Sequence, residues 1–199
     1  THQTLPLYSA RNIALSLCHG RYLAFHDADD VWSADKLLLY KQRLDESPSS
    51  LIAFGSYIIN TQRGSLRVST TRSYTSPFTK LDDSFFSSYD VAMSSLVLSR
   101  VLFQSQQFNP RYQIVGEYEF ILRTLFDASA ITVIQQTCTV TQSSDSTSFR
   151  NPLSFAKELR HLAYKSRVSR RLRSYFLLHS NYKLFQSLTL TTKNPLRIF

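Results

Sequence analysis

Three carboxylates that directly follow an apolar run are the first residues in this sequence that could do chemistry. They lie in the stretch FHDADDVW, where Asp27, Asp29 and Asp30 come after residues 21–26 (RYLAFH). Because side chains alternate along a strand, Asp27 and Asp29 would point to one side and Asp30 to the other. Carboxylate pairs of this kind bind Mg²⁺ or Mn²⁺ and leave coordination positions open for phosphate oxygens or water. The pattern predicts half of a hard-cation site.

The same acids also have an explanation that needs no ligand. A helix is predicted over residues 33–44 (SADKLLLYKQRL), with Ser33 as its N-cap and Asp35 in its first turn. Carboxylates near the N-terminus of a helix are favourable because they complement its dipole. The residues alone leave both explanations open.

The elements around the acidic cluster follow one another in an α/β order. Ligands generally bind at the carboxyl ends of the strands in an open α/β sheet, so the acids lie at the edge where a site is expected. The strand before them has the length of a buried parallel strand, and Gly20 is expected at the C′ position of the first helix. Helices are predicted over residues 7–17 and 118–126, strands over 21–26, 51–60, 92–99 and 130–141, a turn to a partner strand at 63–65, and loop over the rest of 61–90.

The length and composition fit one folded domain with an appendage. A chain of 199 residues with 43% hydrophobic and 13% aromatic residues buries one good core and is not disordered. No apolar run reaches the roughly 18 residues that span a bilayer, and no export signal is seen near Thr1. Cys18 and Cys138 form no CxxC pair, which argues against a zinc site or a disulfide scaffold and favours a reducing compartment.

Positive charge is concentrated at the C-terminal end of the chain. Residues 150–199 contain eleven Lys and Arg and a single acid, Glu158, whereas residues 1–149 contain twelve basic and thirteen acidic residues. A polar stretch at 142–148 (QSSDSTS) precedes this change, and a helical pattern begins soon after it. We therefore divide the chain into a near-neutral domain, residues 1–149, and a basic helical tail, residues 150–199.

The stretch SARNIALSLCHGRYLAFHDADDVWSADKL, residues 9–37, resembles the signature of family 2 glycosyltransferases, which have the GT-A fold. In that family an Ala-Arg-Asn helix, a small-residue turn and an apolar strand lead to an Asp-x-Asp motif. The carboxylates of that motif hold a divalent metal on the diphosphate of a sugar nucleotide. The resemblance therefore implies that Asp27 and Asp29 bind Mn²⁺ or Mg²⁺, and that Arg11, Asn12, Asp27 and Asp30 contact the donor.

For several of these side chains the sequence is consistent with a second role. Asp30 would either orient the loop or meet the sugar. Arg11 matches the family arginine near the nucleotide, but it would equally pair with a helix-end carbonyl or a carboxylate. His26 stands where an apolar residue is usual, and it is expected to be a core or rim histidine. Trp32 and Tyr112 are candidate platforms for sugar stacking, or they simply pack.

A second segment resembles the acceptor side of the same family. It runs from residues 108–111 (FNPR) into 115–125 (VGEYEFILRTL), and the Glu-Asp pair usual in the family is Gly-Glu here. The resemblance gives Glu117 the position of the catalytic base. Helix geometry separates Glu117 from its neighbour, because Glu119 and Arg123 are four residues apart and would form a surface ion pair. Glu117 is then expected to be the unpaired carboxylate.

The resemblance implies a metal-dependent, inverting transfer from a nucleotide-sugar donor, UDP-linked, to a saccharide or lipid-linked acceptor, as in polysaccharide biosynthesis. It also implies a GT-A-like (Rossmann-like) α/β fold, in which helices flank a mixed sheet. The family's opening strand (VSVIIPxYN) and its VDDGSxD stretch are absent, so an N-terminally truncated domain without its first nucleotide-binding strands is expected. Residues 140–144 (VTQSS) lack the family histidine that approaches the metal.

The tail suggests a second function of a different class. Residues 155–185 carry apolar side chains at helical spacing and an arginine cluster at 167–173, as in a basic helix that lies on an anionic membrane surface. The alternatives are ordinary packing through Tyr164, Leu172 and Phe176, and nucleic acid binding, for which no recognisable module is present. The chain would then be a non-catalytic fragment of the same fold that acts as a membrane-surface binding or scaffold module through its basic tail. For either function we expect a cytoplasmic location, peripheral on the inner face of the membrane.

Overall fold

The structure, a computed structural model, describes residues 5–61, 66–69, 92–127, 129–142, 151–165 and 168–191. Within these ranges the helices are α1 (Leu7–Leu17), α2 (Lys36–Glu46), α3 (Arg100–Ser105), α4 (Gly116–Asp127), α5 (Pro152–Lys165) and α6 (Arg170–Thr191). The strands are β1 (Tyr22–Ala24), β2 (Val31–Trp32), β3 (Ser50–Thr61), β4 (Leu66–Ser69), β5 (Leu96–Ser99) and β6 (Ser129–Gln142), and a 3₁₀ turn at Met93–Ser95 precedes β5.

The strands of the described residues form one mixed sheet in the order β1-β5-β3-β6-β2, with β4 paired to β3. The central strand β3 runs antiparallel to β4 and β5 and parallel to β6. Its sequence SLIAFGSYIINT is rich in aromatic and β-branched residues, and the side chains from Ile52 to Tyr57 are buried on both faces. These properties explain why β3 occupies the centre of the sheet.

The two faces of the sheet carry separate buried clusters. Ala53 and Val97 face α2 and pack with Tyr40 and Leu44. Because neighbouring side chains alternate, Phe54 faces the opposite side, where the larger cluster gathers side chains from α1, α3, α4, α5 and α6. The helices therefore flank the sheet on both faces, as the sequence predicts.

The basic tail contributes to the same core as the sheet. Its side chains in the larger cluster are Phe155, Leu159, Leu162, Ala163, Val168, Leu172 and Phe176. The packing predicted through Leu172 and Phe176 is therefore confirmed, but Tyr164 is 66% exposed and takes no part in it. The division of the chain near residue 150 stays a prediction. None of the helices in the described ranges is both long and apolar enough to cross a bilayer.

Two predicted helix ends differ from the structure. The first helix has the predicted bounds, but Cys18 is its extended C-cap and its N–H bonds to Leu15, so Gly20 is not the C′ residue. The second helix begins at Lys36 and not near Ser33. Ser33 is instead drawn into the pairing of β2 with β6, since its N–H and its hydroxyl both bond to the carbonyl of Thr137.

Two strand predictions are also corrected. The segment predicted as a buried parallel strand forms β1, which is half-buried and pairs antiparallel with β5. The predicted loop at 61–90 contains β4, the partner strand expected after the turn at 63–65. Of that loop, residues 62–65 and 70–90 lie outside the described residues. Predicted strand 92–99 begins as a 3₁₀ turn and is extended only over Leu96–Ser99.

Lys36, the first residue of α2, is fully buried. Its Nζ donates to the carbonyl of Ser94, and it lies 4.2 Å from the ring centroid of Trp32 and 5.2 Å from that of Tyr40. Burial lowers the pKa of Lys36 from 10.5 to about 8. The charged form is therefore less favourable in the folded chain than in the unfolded chain.

This shift predicts a pH-dependent stability. Above pH 8 the folded chain loses a proton that the unfolded chain keeps up to 10.5, so the free energy of unfolding rises with pH. From pH 7 to 9 the wild type should gain about 1 kcal/mol relative to Lys36→Met, which has no such proton. Urea unfolding at pH 7, 8 and 9 measures this difference. Burial also raises the pKa of Cys138 from 9.0 to about 11, which lowers the stability of both proteins as the pH approaches 9 and largely cancels in their difference.

The control is Lys41→Met, which removes an exposed lysine from the same helix. Its stability difference from the wild type should not change between pH 7 and 9. A difference between wild type and Lys36→Met that is equally flat would contradict the buried, shifted ammonium group.

Candidate functional site

One arginine bonds both to the predicted metal-binding segment and to the predicted catalytic base. From α1, Arg11 donates through Nη2 to Oδ1 of Asp27 at 2.8 Å and through Nη1 to Oε1 of Glu117 at 2.6 Å. Asp27 follows β1, and Glu117 lies in the first turn of α4. The predicted metal ligand and the predicted base are therefore bridged by the two terminal nitrogens of a single guanidinium group.

Aromatic rings hold this guanidinium in place. Its central carbon lies 5.8, 5.9 and 5.6 Å from the ring centroids of Tyr8, Phe25 and Phe108, and only 11% of the side chain is exposed. Burial by itself would lower the pKa of Arg11, but the neighbouring Glu117 and Asp27 carboxylates raise it above its ordinary value. The cation is thus fixed in position and permanently charged.

Asn12 ties α1 to the segment before α4. Its Nδ2 donates to the carbonyl of Phe108, and its Oδ1 accepts from the Phe108 N–H, both at 2.8 Å. The side-chain amide is therefore paired with the backbone on both sides. A donor contact for Asn12 stays a prediction, and the role that the geometry shows is alignment of α1 with the chain that leads to Glu117.

A turn gives the three aspartates of the acidic cluster different exposures to solvent. The N–H of Asp30 bonds to the carbonyl of Asp27 at 3.0 Å, which closes a turn over these four residues. The Asp27 side chain is 42% exposed, Asp29 is exposed, and Asp30 is buried. Asp30 accepts from the N–H of Thr141 at 2.9 Å. The strand alternation expected from the sequence does not extend through these residues, because β1 ends at Ala24 and a turn follows.

Asp30 has the environment of a residue that shapes the loop. Burial raises the pKa of its carboxyl group, and the hydrogen bonds from Ser94 and Thr141 act against that rise. Ser94 also accepts, through Oγ, the N–H of Asp27 at 3.0 Å. Of the two roles expected for Asp30, these contacts support orientation of the loop.

Asp27 and Asp29 are the exposed carboxylates of the cluster. Their oxygens are the hard ligands that suit Mg²⁺ or Mn²⁺, and two carboxylates leave room for water and phosphate oxygens around the ion. Within the part of the chain that the structure describes, no group of three or more His, Cys, Asp or Glu side chains could hold a metal. Two carboxylates alone supply only part of the coordination shell of such a cation.

The first residue of α4, Gly116, packs closely against the ring of Tyr8. The Tyr8 hydroxyl donates to the carbonyl of Ile114 at 3.0 Å, and a Cβ on Gly116 would overlap the Tyr8 ring. This contact explains the glycine where the sequence resemblance leads one to expect an acid. Tyr8 therefore sets the distance between α1 and the first turn that carries Glu117.

Gly116→Ala should be destabilising because either the Tyr8 ring or α4 must move. The expected loss is about 1–3 kcal/mol in the free energy of unfolding, the usual cost of an added methyl in a packed site. Urea denaturation measures it, with Ser154→Ala as the control, since Ser154 is exposed in the first turn of α5. Equal stability of Gly116→Ala and the wild type would contradict the close approach of Tyr8.

The two glutamates of α4 have different partners. Glu119 pairs with Arg123, whose Nε donates to Oε1 at 2.9 Å, so the predicted ion pair is confirmed. The expectation that Glu117 is unpaired is wrong, because it accepts from Arg11. Sequence spacing finds the first pair, which is local, but not the second, whose members are 106 residues apart.

The proposed stacking platforms are engaged in packing. The indole N–H of Trp32 donates to the carbonyl of Ser94 at 3.1 Å, and its ring stacks on the exposed His26 at 4.2 Å. Tyr112 is 3% exposed, and its hydroxyl bonds to Nδ1 of His161. Tyr112 is therefore too deeply buried to stack on a sugar, and His26 is the rim histidine that the sequence leads us to expect.

Tyr8 and Glu158 are the residues near this site that sequence reasoning missed. Glu158 reaches from α5 and accepts backbone N–H groups of the segment before α4, among them that of Val115 at 2.9 Å. Nothing in the sequence singles out Tyr8. Glu158 did leave a signal, since it is the one acid among eleven basic residues of the tail.

The model of glycosyl transferase family 2 matches residues 2–105, more than half of the chain. No curated protein matches the sequence.

Three solved structures of TarS from S. aureus resemble this fold, each at 14% sequence identity. For TarS 1–349 the TM-score is 0.58, with 96% of this chain and 55% of that chain covered. For TarS 1–349 in complex with UDP-GlcNAc the TM-score is 0.62, with 94% of this chain and 56% of that chain covered. For TarS the TM-score is 0.59, with 94% of this chain and 33% of that chain covered. The chain thus spans little more than half of these proteins at most, and the likeness confirms the predicted α/β fold.

Proposed function

The chain belongs to glycosyl transferase family 2, the family predicted from its motifs, and from that premise we propose that it transfers a sugar from a nucleotide-sugar donor to a saccharide or lipid-linked acceptor. One observation carries the proposal. Arg11 bonds at once to Asp27, on the predicted donor side, and to Glu117, on the predicted acceptor side. A transfer reaction needs these two sides to meet in one cleft.

On the donor side, Asp27 and Asp29 would hold Mn²⁺ or Mg²⁺ together with the diphosphate of a UDP-sugar. Their exposure and their hard oxygen ligands support this role. TarS, which shares the fold, is known in complex with UDP-GlcNAc, and this supports a nucleotide-sugar donor here. When bound, the cation would neutralise negative charge that gathers on the departing nucleoside diphosphate.

On the acceptor side, Glu117 acts as the general base. An acceptor hydroxyl is a poor nucleophile, so a carboxylate must take its proton as the new carbon–oxygen bond forms. The ion pair with Arg11 fixes the position of this carboxylate. One base and one displacement invert the anomeric centre of the sugar.

The tail supports a membrane contact for this enzyme. Along α6, the exposed apolar side chains are Tyr175, Leu178, Tyr182, Phe185 and Leu188. Exposed Arg170 and Arg171 lie at the start of the same helix. Apolar and basic residues together suit the surface of an anionic membrane, from which a lipid-linked acceptor would be presented at the inner face. A non-catalytic module that uses only this surface remains the alternative function.

Release of UDP separates these functions. We expect the chain, supplied with Mn²⁺ and a panel of UDP-sugars, to release UDP from at least one of them when a saccharide acceptor is added. Asp29→Asn should lower that rate by about 10²-fold or more, because the neutral amide is a weaker cation ligand. Glu46→Gln, an exposed substitution at the end of α2, is the control. If no donor is turned over, or if Asp29→Asn is as active as the control, the proposed function fails.

A further inference from the structure

Glu158 binds the backbone immediately before the helix that carries Glu117. Its Oε1 accepts the N–H of Gln113 at 2.8 Å, and its Oε2 accepts the N–H groups of Ile114 and Val115, each at 2.9 Å. The carbonyl of Val115 in turn accepts the first helical hydrogen bond of α4, from Glu119 at 3.1 Å. A single carboxylate thus fixes three consecutive amides at the point where α4 begins.

Other contacts secure the same segment from two sides. From α1, the Tyr8 hydroxyl donates to the carbonyl of Ile114 at 3.0 Å. From α5, one turn beyond Glu158, Nδ1 of His161 lies 2.9 Å from the hydroxyl of the buried Tyr112. The segment is therefore clamped between α1 and α5, and its backbone cannot shift without breaking several hydrogen bonds.

The charge of Glu158 makes its hydrogen bonds to the backbone stronger than the neutral hydrogen bonds that secure the same segment. Hydrogen bonds to an ionised acceptor are stronger than those between neutral groups, and a carboxylate just before a helix also complements the dipole of that helix. The sequence context points the same way, since this residue is the single acid of a tail with eleven basic residues.

We propose that Glu158 is a positioning residue for the general base: its carboxylate holds the amides of residues 113–115 so that α4 starts with Glu117 against Arg11. The inference rests on the proposed role of Glu117. It gives the basic tail a part in the transfer reaction, because α5 then determines where the base stands. Glu158 itself touches no substrate in this account.

The experiment combines local hydrogen exchange with kinetics on Glu158→Gln. A glutamine has one acceptor oxygen where the carboxylate has two, so amides 113–115 should exchange at least tenfold faster, while those of β3 keep their protection. The value of kcat should fall by about 10²-fold, the usual cost of misplacing a reacting group by about 1 Å. The KM for the donor should stay within about twofold of the wild-type value, since the donor side is not held by Glu158. Glu46→Gln serves as the matched control.

The outcomes separate this inference from the proposed function. Unchanged exchange at 113–115 would show that Glu158 does not hold these amides. Faster exchange with an unchanged kcat would show that holding them does not position Glu117. A rise in exchange throughout β3 would mean that Glu158 only stabilises the fold. Should the wild type prove inactive, the proposed function fails, and the base-positioning role falls with it whatever the exchange shows. If Glu158→Gln does not fold, Glu158→Asp, which keeps the charge but shortens the reach, replaces it in the same measurements.

Discussion

Glu117→Gln is expected to lower kcat by about 10³-fold, the usual contribution of a general base. The substitution keeps an oxygen that can accept from Arg11, so the loss should not come from a collapsed site. Donor affinity should stay within about threefold of the wild-type value, because the proposed donor ligand Asp27 bonds to the other terminal nitrogen of Arg11. Steady-state kinetics with a saturating acceptor, together with nucleotide titration, measure both quantities.

Glu119→Gln is the matched control for this prediction. It changes the other acid in the first turn of the same helix and weakens only the ion pair with Arg123. Its kcat should remain close to that of the wild type. A Glu117→Gln enzyme that works as well as Glu119→Gln would remove Glu117 from the mechanism.

Arg11→Met is the second large effect that we expect, because it leaves Asp27 and Glu117 facing each other without a cation. The value of kcat/KM should fall by about 10²–10³-fold, since both the donor side and the base lose their alignment. The free energy of unfolding should fall by about 1–3 kcal/mol, less than for a fully buried pair because both carboxylates are partly exposed.

Arg11→Lys should recover the stability in part but little of the activity. A lysine carries the charge but ends in a single ammonium group, which cannot place two forked donors on two carboxylates. Arg43→Met, which removes an exposed arginine with a Glu46 partner, is the control for both measurements. Full activity of Arg11→Lys would show that charge alone matters at this position, and the bridging geometry would lose its role.

The parts of this site that were predicted correctly from sequence are local ones. The helix that carries Arg11 has its predicted bounds, and the pair Glu119 and Arg123 follows from a spacing of four residues. In each case the determinants lie within a few residues of one another.

The parts that were missed depend on contacts between distant segments. The Arg11 bridge to Glu117 spans 106 residues, and the glycine at 116 makes sense only beside the ring of Tyr8. Ser33 fits a helix cap by its type, but the pairing of β2 with β6 uses its N–H and hydroxyl instead. Local propensity cannot decide such competitions, because the winning partner is set by the tertiary fold.

Calorimetric titration of uridine diphosphate into the 199-residue chain measures whether Asp27 and Asp29 form a donor site. The titration is run with and without Mn²⁺ and repeated on Asp29→Ala. If these two carboxylates form the site, binding should require Mn²⁺ and disappear in Asp29→Ala. Absence of binding in every condition, or binding that is equally strong without Mn²⁺ and in Asp29→Ala, would contradict it.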